Sequence, residues 1–148
     1  MMSSKYSRVC AEIDMDAIAE NFRIMHEAIH PETKMVAVIK TDGYGHGAVP
    51  IAQMIQPEDY IWGFAVATMT EAMILRKNQI TKPVLILGYT FKEDYEDLIR
   101  YEIRPIVFKL DMAKELSEAA AFRRSCPSGQ AGTYPYRTGY GNEPHRFF

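Results

Sequence analysis

Two cysteines in 148 residues, Cys10 and Cys126, are too few for a disulfide framework and have no metal-ligand spacing. Either reads as an inert thiol in a reducing compartment. The four histidines (His26, His30, His46 and His145) are scattered, so no metal site is expected. No run reaches the ~18 apolar residues of a membrane-spanning helix. Met1 to Tyr6 has no apolar core leading to a cleavage site, so neither a secretory signal nor a membrane partner is expected, and the cytoplasm is the expected location. Charge of one sign is also missing: 17 Lys+Arg stand against 19 Asp+Glu, for a net charge of −2. That balance, without long basic runs, argues against a nucleic-acid partner. Neither G-x-G-x-x-G nor G-x-x-x-x-G-K-[ST] occurs, which removes the usual nucleotide-phosphate loops.

What is present is an ordinary globular composition, 47% hydrophobic and 24% charged. It is not uniform. Residues 1–122 carry net charge −5, whereas residues 123–148 carry +3 and contain no Val, Ile, Leu or Met. A break of this kind usually marks a linker or a terminal extension.

Before the break, strand-like and helix-like segments alternate. Arg8 to Ile13 alternates as a short strand, and Asp14 can cap a helix with Ile18, Phe22, Met25 and Ile29 on one face, ended by Pro31. Met35 to Ile39 is a continuous apolar run, the pattern of a strand buried on both faces. A glycine-rich turn over Gly43 to Gly47 leads into a helix through Val49, Ala52 and Ile55. Ile61 to Thr68 is the next strand, followed by a helix with Thr70 as its expected cap. Val84 to Leu87 is a third strand, Glu93 to Tyr101 a helix, Ile103 to Phe108 a fourth strand, and Asp111 caps a last helix to about residue 122. Four buried-type strands, each followed by a helix, predict consecutive βα units on a parallel sheet. Either an open doubly wound sheet or part of a (β/α)8 barrel would satisfy this pattern. A complete barrel takes about 250 residues, so a barrel here would be an incomplete one of about four units.

The chemistry-bearing stretch is Ala37-Val38-Ile39-Lys40-Thr41-Asp42-Gly43-Tyr44-Gly45-His46-Gly47. Lys40 ends a buried strand, and in parallel α/β folds that end faces the active site. Side chains alternate, so Lys40 shares a face with Val38. A lysine held there is a candidate for Schiff-base or general-base work, although a solvated strand end fits the same pattern. Tyr44 could place its phenol on a phosphate oxygen or pack as a turn aromatic. His46 reads as a backbone-bonding or surface histidine.

This segment resembles the pyridoxal-phosphate signature of the alanine racemases, an apolar strand followed by K-A-N-A-Y-G-H-G-A. Lys40, Tyr44, Gly45, His46, Gly47 and Ala48 match, while Thr41, Asp42 and Gly43 depart from the commonest form. Glu12-Ile13-Asp14 with Ala17-Ile18 and Asn21 is similar to the family's opening. Phe64 to Ala67, Glu71-Ala72, Leu75-Arg76 and Pro83 to Gly88 are similar to its next two units.

The resemblance implies a (β/α)8 barrel followed by a β-rich domain, of which residues 1–122 supply the N-terminal half barrel. It implies pyridoxal 5′-phosphate bound covalently by Lys40, Tyr44 on its phosphate, and Val38 and Leu87 as pocket walls. Core packing is an equal alternative for those last two. It further implies interconversion of L- and D-alanine for peptidoglycan precursors, with Lys40 as the base on the D-alanine side. The opposing base is a tyrosine from the second subunit of a homodimer, outside this chain. A serine or broad-specificity racemase of the same fold, or a truncated gene product without function, stays open.

The resemblance also bears on residues 123–148. The family carries a strand ending in L-D-T-G-M-x-R-x-G after the fourth helix. Read from the second base of each codon, Thr133 to Phe148 permits H-I-H-I-E-L-D-T-G-M-N-R-I-G-F. Residues from around 122–132 onward are therefore expected to be an out-of-frame translation, in which Cys126, Arg137, His145 and Arg146 have no designed role.

Overall fold

The computed structural model describes residues 9–125. Cys126, His145 and nearly all of the 123–148 segment lie outside them.

Helix α1 (Met15–Glu27) starts where Asp14 accepts a hydrogen bond from the Ala17 amide at 2.9 Å. Four strands follow: β1 (Met35–Val38), β2 (Ile61–Val66), β3 (Val84–Ile86) and β4 (Ile103–Pro105). All are parallel, in the order β1-β2-β3-β4. Helices α3 (Ala48–Ile55), α4 (Met69–Lys77) and α5 (Tyr95–Arg100) link successive strands. A short 3₁₀ turn (Lys92–Asp94) precedes α5, and α6 (Leu110–Ser125) follows β4. A doubly wound sheet reverses its strand order at a switch point. Sequential order without reversal selects the barrel-type alternative.

The two faces of the sheet differ. Phe64, Val66, Val84, Ile86 and Ile103 face the helices and are buried with Ile55, Leu75 and Leu98 in one core. The register pairs Val38 with Ala65, Ala65 with Leu85 and Leu85 with Arg104, so these four form a row across the other, inner face. A register irregularity near Met35 gives β2 an extra residue there. Trp62 is exposed, with the Arg104 guanidinium 4.8 Å from its ring centre.

Several sequence expectations change. Residues 9–13 form no strand. Val9 is 90% exposed, and among the described residues no neighbouring strand takes up the segment's backbone hydrogen bonds. β1 is buried on one face only, because Val36 and Val38 point to the inner side and stay exposed there. The cap of α4 is Thr68, not Thr70: its hydroxyl accepts from the Glu71 amide at 3.3 Å.

Arg76 locks the end of the sheet opposite Lys40. Its guanidinium donates to the carbonyls of Ile80, Lys82, Tyr101 and Glu102, tying the α4–β3 and α5–β4 connections together. Burial among these groups lowers its pKa.

Candidate active site

β1 delivers Lys40 to the carboxyl end of the sheet. The last bond between β1 and β2 runs from the Ile39 amide to the Ala65 carbonyl, at 2.9 Å. Beyond it the chain turns through α2 (Lys40–Tyr44), a single turn of the opposite hand. Thr41 has φ 53° and ψ 50°, Asp42 has φ 51° and ψ 49°, and Gly43 has φ 62° and ψ 37°. Tyr44 continues at φ 56° and Gly45 at φ 85°. Left-handed geometry costs an L-residue roughly 1–2 kcal/mol, so something must hold three non-glycine residues there.

The holding contacts are polar. The Asp42 carbonyl accepts from the Gly45 amide at 3.1 Å and the Gly47 amide at 2.8 Å. The Asp42 carboxylate accepts from the Ala48 amide at 2.8 Å, capping α3, whose own N-cap residue Gly47 has no side chain to do so. Nδ1 of His46 lies 3.2 Å from the carbonyls of both Gly43 and Tyr44, which makes His46 a backbone-bonding residue of the turn. From outside the turn, the Glu71 carboxylate accepts from the Thr41 amide at 2.8 Å and from the Ala67 amide at 2.7 Å.

The result brings two of the expected residues together. The Lys40 ammonium stands 4.9 Å from the centre of the Tyr44 ring. Lys40 is half-buried, and no salt bridge among the described residues includes it. Tyr44 is 58% exposed, which leaves its phenol open to a ligand. Val38 is 43% exposed and Leu87 42%, so neither belongs to the core formed by the described residues. Both stand on the inner side of the sheet, Val38 two residues before Lys40 and Leu87 two residues after Leu85.

Sequence reasoning missed Asp42 and Glu71 as structural contributors. Glu71 stands three residues after Thr68, the T-x-x-E spacing of a capping box. Placing the cap at Thr70 hid that signal. Its second contact, thirty residues away in the chain, has no local signature. Among the described residues no group of three or more His, Cys, Asp or Glu could hold a metal ion, and no helix is long and apolar enough to cross a membrane.

A lysine at the carboxyl end of the first of four sequential parallel βα strands, beside a tyrosine on a glycine-rich turn, defines a barrel-type lysine site. The family model for the alanine racemase N-terminal domain matches residues 13–127, and the chain belongs to that family. An alanine racemase of Desulforamulus reducens is 36% identical over 115 residues, covering 78% of this chain and 31% of its own length. One from Clostridium perfringens is 44% identical over 112 residues, covering 76% and 28%. Among solved structures, an alanine racemase of Clostridium difficile 630 superimposes with TM-score 0.73 at 37% identity, covering 76% of this chain and 29% of that one. The same enzyme has been solved in complex with cycloserine. The parallel four-stranded sheet thus corresponds to the N-terminal part of the alanine racemase barrel. The chain spans 31% or less of the length of the curated relatives named here.

Proposed function

We propose that this chain is the cofactor-anchoring N-terminal part of a pyridoxal-phosphate-dependent alanine racemase, which interconverts L- and D-alanine for peptidoglycan precursors in the cytoplasm. The observation that carries this is the pairing of Lys40 with Tyr44 at the carboxyl end of β1. The residues present fit the cofactor. An amine with no carboxylate partner among the described residues is free to bond its aldehyde carbon, and an exposed phenol beside that amine can donate to its phosphate. Val38 and Leu87 offer apolar wall on the same side of the sheet.

When bound, pyridoxal phosphate supplies the electron sink that lets the substrate Cα–H ionise. Lys40 anchors it, and the same amine, once released, holds or returns the Cα proton on the D-alanine face. Tyr44 orients the phosphate end. Racemisation also needs a base on the opposite face, which in this reading comes from the second subunit of a homodimer. The 148 residues taken alone carry one base of the two and are expected not to racemise alanine.

Incubation with pyridoxal phosphate, borohydride reduction and peptide mapping test the anchoring role. A pyridoxyl group on the Lys40 peptide, absent from Lys40→Ala, is the expected result. Labelling that ignores that substitution refutes it.

The reading extends to the tail. Residues from around 122–132 onward are an out-of-frame translation, supported by the missing aliphatic residues and reversed charge of 123–148. If the alternate frame of the coding sequence, followed past codon 148, fails to run on into the remaining barrel, the frame argument falls.

A further inference from the structure

We propose that Glu71 is a positioning residue for Lys40, acting through the backbone on either side of the sheet's last rung. The inference rests on the reading of Lys40 given above. Val38 pairs with Ala65, and the Ile39 amide donates to the Ala65 carbonyl. Continuing that parallel ladder by one rung would send the Thr41 amide to the Ala67 carbonyl and the Ala67 amide to the Ile39 carbonyl.

Neither bond forms. The Ile39 carbonyl instead accepts from the Gly43 amide at 2.9 Å, as the left-handed turn closes on it. The two amides that lose their ladder partners are the two that Glu71 takes up, Thr41 on one oxygen and Ala67 on the other. The carboxylate therefore stands between two diverging strand ends and joins them.

Lys40 sits inside this clamp. The amide before it is fixed by Ala65 and the amide after it by Glu71. The second of these fixes the Lys40–Thr41 peptide plane, and with it the direction in which the turn carries Tyr44 back over the amine. A plain helix cap would need only one carboxylate oxygen and a partner on its own helix. The contact to Thr41 serves no capping purpose, and it is charge-assisted, because the acceptor is a carboxylate. Glutamate suits the task by length as well: it starts from the first turn of α4 and reaches both strand ends.

The test compares three variants of the full chain. Glu71→Gln keeps the side chain's length and leaves one acceptor oxygen for two amides. Glu71→Asp keeps the charge at the start of α4 and shortens the reach. Thr68→Ala weakens the same helix end without touching Thr41. Amide exchange at Thr41 and Ala67 is followed by NMR, and pyridoxal phosphate is the probe for borohydride-trapped labelling of Lys40.

The expected result is exchange at Thr41 faster by about tenfold in both Glu71 variants, slower labelling of Lys40 in both, and neither change in Thr68→Ala. Unchanged Thr41 exchange in the Glu71 variants overturns the proposal. So does a Thr68→Ala effect of equal size, which would make the effect one of helix stability. Faster exchange with wild-type labelling also overturns it, because the backbone hold would then not reach the amine. Failure of the wild-type chain to label at Lys40 removes the cofactor reading instead, and the exchange comparison still decides whether Glu71 holds Thr41.

Discussion

Gly43→Ala and Gly45→Ala separate strain from crowding in the turn that carries Lys40. Both glycines have positive φ, 62° and 85°. A Cβ at Gly45 meets nothing within 4 Å, whereas at Gly43 it would lie 3.1 Å from Cδ1 of Ile51 and 3.2 Å from the Ala48 nitrogen. That nitrogen cannot retreat without lengthening its 2.8 Å bond to Asp42. For Gly45→Ala, roughly 1–2 kcal/mol of left-handed strain is offset by ~0.4–1 kcal/mol from a less flexible unfolded chain, a net loss of about 0.5–1 kcal/mol. Gly43→Ala adds overpacking against a pinned backbone, which brings its loss to about 2–3 kcal/mol. Urea unfolding followed by circular dichroism, with the slope checked for constancy, gives both numbers. Equal losses at the two positions, or no loss at Gly43, would refute the account of the turn.

Arg76→Lys keeps the charge but cannot reach four carbonyls in a planar fork, and it should lower unfolding stability by about 2–4 kcal/mol in the same assay. Asp94 has its pKa raised by burial and by the neighbouring charges of Glu93 and Asp97. A carboxyl whose folded pKa is raised stabilises the fold below its unfolded value and loses that contribution as pH rises through the folded value. Asp94→Asn should therefore be the more stable protein at neutral pH, with the advantage vanishing in acid. Stability curves that diverge on the acid side instead would show the sign to be wrong.

The strands were legible because each is a short apolar run between polar breaks, and a strand whose helix-facing residues are sealed leaves that trace in composition. Which face stays open was not legible. Val36 and Val38 read as core by residue type, yet both stay exposed on the inner face, because residue type does not say which face of a strand is packed. Arg8 to Ile13 alternates like a strand, but alternation cannot supply a partner for the ladder. At the site, position marked Lys40 and Tyr44 as candidates only, since a solvated strand end and a turn aromatic fit the same pattern, and their assignment to a cofactor rests on the family resemblance. Asp42 and Glu71 could not be assigned their contacts, since one reaches six residues along the chain and the other thirty. The turn's hand was hidden for a related reason. Three glycines between 43 and 47 signal a tight turn, but the left-handed run begins at Thr41, where nothing in the residue type favours it.

That run also explains where the sequence departs from the family's commonest signature. Thr41, Asp42 and Gly43 replace A-N-A, and all three lie in the left-handed turn. Aspartate, like asparagine, tolerates that geometry and has a side-chain oxygen able to accept the Ala48 amide. Glycine at position 43 escapes the strain that alanine would carry there and leaves room for Ile51 and Ala48. Threonine, being β-branched, is the least suited of the three to positive φ, and it is the one whose amide Glu71 holds. Two of the three changes thus keep the turn's chemistry, and the third falls where an outside carboxylate fixes the backbone. The residues on which the proposed chemistry depends, Lys40 and Tyr44, flank the changed positions and are brought together by the turn those positions form.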